Sequence, residues 1–285
     1  MIYLILVSII WSLSFTLIKG NLTSIDPYLV SFIRLFISFI IFLPFLRISK
    51  LRKEFLFRLL VLGFFQYGLM YLAYIYSYKY LKAYQIALLT IFTPIFVVLI
   101  NDIWNKKFIG LNWLKALLTI MGSGIIVYTT SFSFGFWKGI VLIQVSNFLF
   151  ALGQVYYKKL VGDVNFKEQL SNYAVVFLGA AIITFIFAMF SFNNSELNIE
   201  TKQWFTLLYL GIIASGLAFY LWNYGATKVK TGNLAIMNNL KIPLGILFAV
   251  LLLGEDVNLL QLIIGSTIII SAFFLERLSI NEKQV

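Results

Sequence analysis

The chain has 285 residues, 61% of them hydrophobic and only 12% charged, with a net charge of +11 and a mean hydropathy of +0.94, a balance that excludes an ordinary soluble domain. It has no cysteine and no histidine, which removes disulfides, thiolate or imidazole metal sites and histidine general bases, and with them most enzyme chemistries. Apolar runs of about 20 residues recur between short polar breaks, the length of helix that crosses a bilayer core of about 30 Å, while the alternating strands of a membrane barrel are missing. The expected fold class is therefore all-α, a polytopic membrane protein.

Ten spans are predicted, at about 2–19, 28–46, 57–79, 84–103, 112–130, 137–158, 170–190, 204–226, 232–253 and 259–277. The first opens MIYLILVSIIWSLSF, with no basic leader region, and is expected to be a retained helix; Trp11, Ser12 and Ser14 are its candidates for a polar or aromatic role. The second holds Arg34 about a third of the way in from its first end, shallow enough for the side chain to snorkel toward water. In the third, Tyr67, Tyr71, Tyr74 and Tyr78 are spaced four, three and four and share a face. Such a face can stack on a flat substrate or cup a cation, or it can pack against other helices. The fourth carries Thr90 and Thr93 before Pro94, with Asp102 at its end. Gly122, Ser123 and Gly124 in the fifth, like Gly265 and Ser266 in the tenth, are expected to permit close helix contact.

The sixth span has a polar stripe, Gln144, Asn147 and Gln154, which must face another helix or water because amides exposed to lipid are costly. Phe219 and Trp222 in the eighth are aromatic candidates for a cavity wall. The ninth contains NNLKIPLG at 238–245, placing Lys241 near the midplane, where a basic residue costs roughly 2.5 to 3.5 kcal/mol. Two arrangements fit it. Pro243 frees the carbonyl of Asn239, and Lys241 with Asn238 can satisfy that region of backbone. Alternatively the ammonium faces a hydrated cavity and attracts the carboxylate or phosphate of a substrate, with Asn238 and Gly245 on the same face.

Fifteen of the 22 basic residues fall in one set of alternate loops and five in the other. By the excess of Lys and Arg in cytoplasmic loops, both termini are expected to be cytoplasmic. Charge spread over five segments does not make the single basic face that nucleic-acid binding needs. The chain also repeats: LVLGFFQYGLMYLAYIYSYKYLKA (60–83) aligns with LYLGIIASGLAFYLWNYGATKVKT (208–231), and each is followed by a span with one proline, Pro94 and Pro243. Two five-helix units, 1–133 and 134–285, are expected to lie in inverted orientation, because five is odd.

The stretches IIWSLSFTLIK, TPIFVVLI, TLLYLGIIASGLAFYLWNYGATKV and IPLGILFAVLLLGEDVNLLQLIIGSTIII resemble the EamA-type members of the drug/metabolite transporter superfamily over nearly the whole chain. The LLLGE turn at Glu255 fits that pattern, whereas its counterpart IWNKK (103–107) and Lys241 depart from it. The resemblance implies an exporter or exchanger of small metabolites, with a cavity lined by the first, third, fourth, sixth, eighth and ninth helices.

No Asp or Glu lies near the middle of any span, so proton-coupled antiport of cationic drugs through an embedded carboxylate is not expected. Facilitated diffusion or exchange is. The expected substrate site comprises Lys241 and Asn238, Gln144 and Asn147, Tyr71, Tyr74, Phe219 and Trp222, with Trp11 and Thr93. Amino acids or related carboxylates are the first expected substrates, phosphorylated or nucleoside-like metabolites the second. A lipid-modifying membrane enzyme is the remaining class, and it lacks the acid, His or Cys cluster such chemistry wants. Expected partners are the bilayer and a small-molecule substrate, without cofactor, metal or nucleic acid, in a monomer or homodimer of the cell inner membrane.

Overall fold

The computed structural model describes residues 1–47, 52–81, 86, 89–126, 137–162, 166–191, 199–253 and 258–281. All regular structure among them is helical, without a strand. The turn at Glu255, Lys50, Lys82 and Lys283, the end of the fifth span and the unit boundary at 133/134 lie outside the described residues.

The first helix, α1 (Ile2–Asn21), is followed by α2 (Pro27–Phe42), whose start is set by Pro27 and by Asp26. The Asp26 carboxylate accepts the backbone N–H groups of Tyr28 and Leu29 at 2.9 and 3.1 Å, satisfying donors that a helix start leaves open. Pro44 sits in a 3₁₀ turn, Leu43–Phe45, where α2 stops. Next come α3 (Lys53–Ser77), α4 (Thr93–Asn105), α5 (Gly110–Ile126) and α6 (Trp137–Val161). The remainder are α7 (Phe166–Ser191), α8 (Thr201–Thr227), α9 (Thr231–Leu253) and α10 (Leu259–Asn281). Six of these, α1 to α3 and α6 to α8, are long and apolar enough to cross a membrane, and Leu259–Leu275 of α10 is a shorter apolar helix. The protein is a multi-pass membrane protein.

Two helices are interrupted at matched places. Within α3 the segment Phe64–Leu69 is π-helical, and within α8 so is Leu210–Leu217, its counterpart in the aligned stretches. A π segment carries an extra residue per turn and re-aims everything after it. Each has a glycine at or beside it that lies against a neighbouring helix. A Cβ on Gly63 would come within 1.7 Å of the Val176 carbonyl oxygen of α7, and one on Gly211 within 2.8 Å of Ile37 of α2. Accordingly α3 packs on α7 and α8 on α2, while α1 packs on α9 and α6 on α4. Gly122 of α5 likewise lies against Gly265 of α10, as expected, whereas nothing stands within 4 Å of a Cβ on Gly124.

The fourth span differs most from its expected bounds. Its regular helix starts at Thr93, after a turn at Ile91–Phe92, with residues 89 and 90 helical before it. Pro94 cannot donate a backbone hydrogen bond, so the carbonyls before it need partners from elsewhere. They have them. Thr93 Oγ1 donates to the Thr90 carbonyl at 2.8 Å, Asn239 Nδ2 to Ile91 at 3.0 Å, and Asn147 Nδ2 to Leu89 at 2.8 Å.

Candidate functional site

The break before α4 opens onto a cavity of about 600 Å³, mouth included. Trp11, Ser14 and Ile18 of α1 line it, with Met70, Tyr71 and Tyr74 of α3 and Thr90 and Thr93 at the break. Ser146, Asn147 and Phe150 of α6 face it, as do Phe219 of α8, Arg34 of α2 and Lys241 of α9. Five of these fourteen residues are aromatic and seven are polar or charged, so apolar walls alternate with placed polar groups. A second cavity, of about 420 Å³, shares Ile18 and continues toward the α1–α2 connection, where Thr23, Ile25 and Tyr78 line it.

Lys241 is 9% exposed, and its ammonium lies 5.7 Å from the Trp11 ring centroid and 5.9 Å from that of Phe150. Those are cation–π distances. The arrangement in which Asn238 shares the duty of Lys241 is not the one found. Asn238 instead donates to Gln154 Oε1 at 3.3 Å and to the Leu234 carbonyl at 2.9 Å, behind the cavity wall. Among the described residues, no acidic side chain lines the cavity.

Seven of the expected site residues meet in the cavity: Lys241, Trp11, Tyr71, Tyr74, Thr93, Asn147 and Phe219. Asn238, Gln144 and Trp222 stand one layer back. Gln144 Nε2 donates to the Leu89 carbonyl at 3.2 Å, and its Oε1 accepts from Asn147 at 3.3 Å. The two amides therefore hold the broken backbone, and the polar stripe of α6 is a brace as much as a wall. Trp222, buried, donates from Nε1 to Gln154 Oε1 at 3.0 Å and supports Trp11 at a centroid distance of 4.8 Å. Trp11 in turn donates to the Ala214 carbonyl in the π segment of α8 at 2.8 Å.

Below this aromatic floor the bundle is closed by buried amides and phenols. Gln66 and Asn223 donate to each other at 3.1 Å, and Asn223 also donates to Tyr67 Oη at 2.8 Å. Tyr67 thus turns away from the cavity, its ring 4.4 Å from Phe219. The tyrosine face expected along α3 splits accordingly, since Tyr78 lines the second cavity with its hydroxyl 2.9 Å from that of Tyr74.

Arg34 does not snorkel. It is 2% exposed, and its Nη2 donates to Tyr71 Oη at 2.8 Å and Ser215 Oγ at 3.2 Å, with Cζ 4.7 Å from the Tyr71 ring centroid. Its depth was signalled only by its being one of two charges inside spans. Phe150 was missed as well, although it lies one turn from Asn147 on the same face.

The profile of the EamA-like transporter family matches residues 1–128 and 137–277. A protein of Salmonella typhimurium named "Biotin transporter" is 34% identical over 97% of this chain and 93% of its own length. The protein of that name in Escherichia coli strain K12 gives the same identity and coverage. A "Probable biotin transporter" of Pseudomonas aeruginosa is 31% identical over 98% of both chains. A solved crystal structure superposes with a TM-score of 0.75 over 95% of this chain and 93% of its own, at 16% identity, a likeness of fold alone.

Proposed function

The chain belongs to the EamA-like transporter family, a family of transporters and not of enzymes, and on that premise we propose that it carries a small monocarboxylate of the biotin type across the membrane by alternating access. The observation that carries the proposal is Lys241, an ammonium held over two rings in a cavity with no acidic side chain among its described lining residues. A fixed cation in a low-dielectric site attracts a carboxylate and fixes one end of the ligand. The rings of Trp11, Phe150 and Phe219 offer the apolar body of the ligand a wall. Relatives that cover almost the whole chain are named biotin transporters, which supports this substrate class.

The comparisons give no support to the amino acids expected first, and the cavity explains their poor fit. An α-ammonium group would enter a site that presents two cations and no acidic lining residue. A phosphorylated or nucleoside-like metabolite is favoured only by the pairing of Arg34 and Lys241 in one cavity, and competition between phosphate esters and labelled biotin decides between the two.

The reading includes ten membrane-crossing helices in two inverted units, 1–133 and 134–285, rocking about a midplane site in the cell inner membrane with both termini cytoplasmic. Supporting it are the matched π segments, the reciprocal packing of α3 on α7 and α8 on α2, and the two stretches matched by the family profile. The fifteen-to-five distribution of basic residues supports the orientation. In proteoliposomes, saturable uptake of radiolabelled biotin is expected, and Lys241→Gln should weaken its apparent affinity on the order of tenfold or more. Absence of saturable uptake, or an unchanged affinity in the variant, would overturn the proposal.

A further inference from the structure

Arg34 is buried deeper than Lys241, lines the same cavity, and keeps two nitrogens, Nε and Nη1, without an acceptor. An unpaired buried donor is costly, and more so on a charged group. A leucine or methionine would fill the same volume without that cost. The guanidinium is nonetheless fixed in place by helices on two sides, through Tyr71 of α3 and Ser215 in the π segment of α8.

How it is fixed determines what it can still bind. Nη2 donates to both Tyr71 Oη and Ser215 Oγ, which lie 3.0 Å from each other. Each fork edge of a guanidinium that presents parallel donors uses Nη2, where both hydroxyls compete with a bidentate carboxylate. What remains are single donors, the match for a lone carbonyl oxygen. Three rings run from Arg34 to Lys241: Tyr71 to Phe219 at 5.6 Å and Phe219 to Trp11 at 5.2 Å, with the two cations over Tyr71 and Trp11. A ligand lying along that wall has a cation at either end.

We propose that Arg34 is a second substrate-binding residue, which donates a hydrogen bond to an uncharged carbonyl oxygen at the end of the substrate remote from its carboxylate. The inference rests on the biotin-type reading above, in which the ureido carbonyl is that oxygen and Lys241 takes the valerate carboxylate. Water does not reach Nε or Nη1, so the acceptor arrives by displacing the side chains over them, and recognition of the ureido head is coupled to rearrangement of the cavity.

The test is equilibrium binding to the purified full chain with two probes: biotin, and lipoate, which has the same valerate chain but no ureido group. For Arg34→Met, biotin binding is expected to weaken on the order of tenfold to a hundredfold, as for a hydrogen bond to a charged group, with lipoate binding unchanged. Equal losses for both probes would assign Arg34 a structural role and overturn the proposal, as would unchanged biotin binding. If the Met variant does not fold, Arg34→Leu, which also lacks a donor, is read in the same way. Failure of the wild-type chain to bind biotin at all would overturn both this inference and the biotin-type reading, whereas wild-type binding with an indifferent Arg34 overturns this one alone.

Discussion

Asn147 illustrates how one amide in a membrane helix is shared between wall and scaffold. Its side chain faces the cavity, yet its Nδ2 is committed to the Leu89 carbonyl at 2.8 Å and to Gln144 at 3.3 Å. Replacing it with leucine would remove the shorter of the two bonds to that carbonyl and is expected to cost about 1 to 3 kcal/mol, read as a lower Tm of the detergent-purified chain. The chemistry of Asn147 and Gln144 was legible in the sequence as a polar stripe. Their target was not, because an acceptor 58 residues away in sequence becomes available only when Pro94 breaks the fourth span. Lys241 was legible for the opposite reason: a charge amid apolar residues needs no partner in view to stand out. The depth of Arg34 was misjudged because sequence measures distance from a span end, while Tyr71 and Ser215, which hold it, come from other helices.

At the scale of the element, the π segments of α3 and α8 set which residues reach the cavity, and no periodicity rule locates them in advance. The repeat alignment did pair the stretches that contain them, and the glycines that open the alignments, Gly63 and Gly211, each lie against a neighbouring helix, Gly63 against the Val176 backbone and Gly211 against the Ile37 side chain. Small residues differ in what they meet. Gly63→Ala would drive a methyl group into the backbone of Val176, which cannot rotate away, whereas Gly124→Ala meets nothing within 4 Å. The first is expected to destabilise the chain by several kcal/mol, on the order of a strained core substitution. The second should be neutral or gain up to about 1 kcal/mol from helix propensity. Thermal unfolding of the two variants in the same detergent checks the contrast, and equal Tm values would mean that α3 and α7 do not meet as described. Gly122, two residues earlier, was read together with Gly124 because small residues look alike in sequence; only the direction of the neighbouring helix separates them.

The whole molecule is asymmetric between its two ends. The cavity and its extension lie toward the α1–α2 connection, and the opposite half is sealed by the Trp11–Trp222 pair and the Gln66–Asn223 amides. Asn223→Ala would leave the Gln66 amide buried without its reciprocal partner, and is expected to loosen the seal. Faster amide hydrogen exchange in α3 and α8, with the ends of α2 unaffected, is the signature to measure. The cavity's two cations and its lack of acidic lining residues also have an electrical meaning. A monocarboxylate that crosses without an accompanying cation moves one negative charge through the membrane field, at about 2.3 kcal/mol per 100 mV. Under an inside-negative potential of that size, net uptake of such a monocarboxylate would stop at roughly one fiftieth of the external concentration, while one-for-one exchange of internal for external substrate would not depend on the voltage. Setting the potential with a potassium gradient and valinomycin distinguishes the two modes, and net uptake indifferent to it would mean that a proton or metal cation travels with the substrate. An isolated uniporter of this build would therefore drain anions from a polarised cell, unless consumption of the substrate inside keeps the gradient inward.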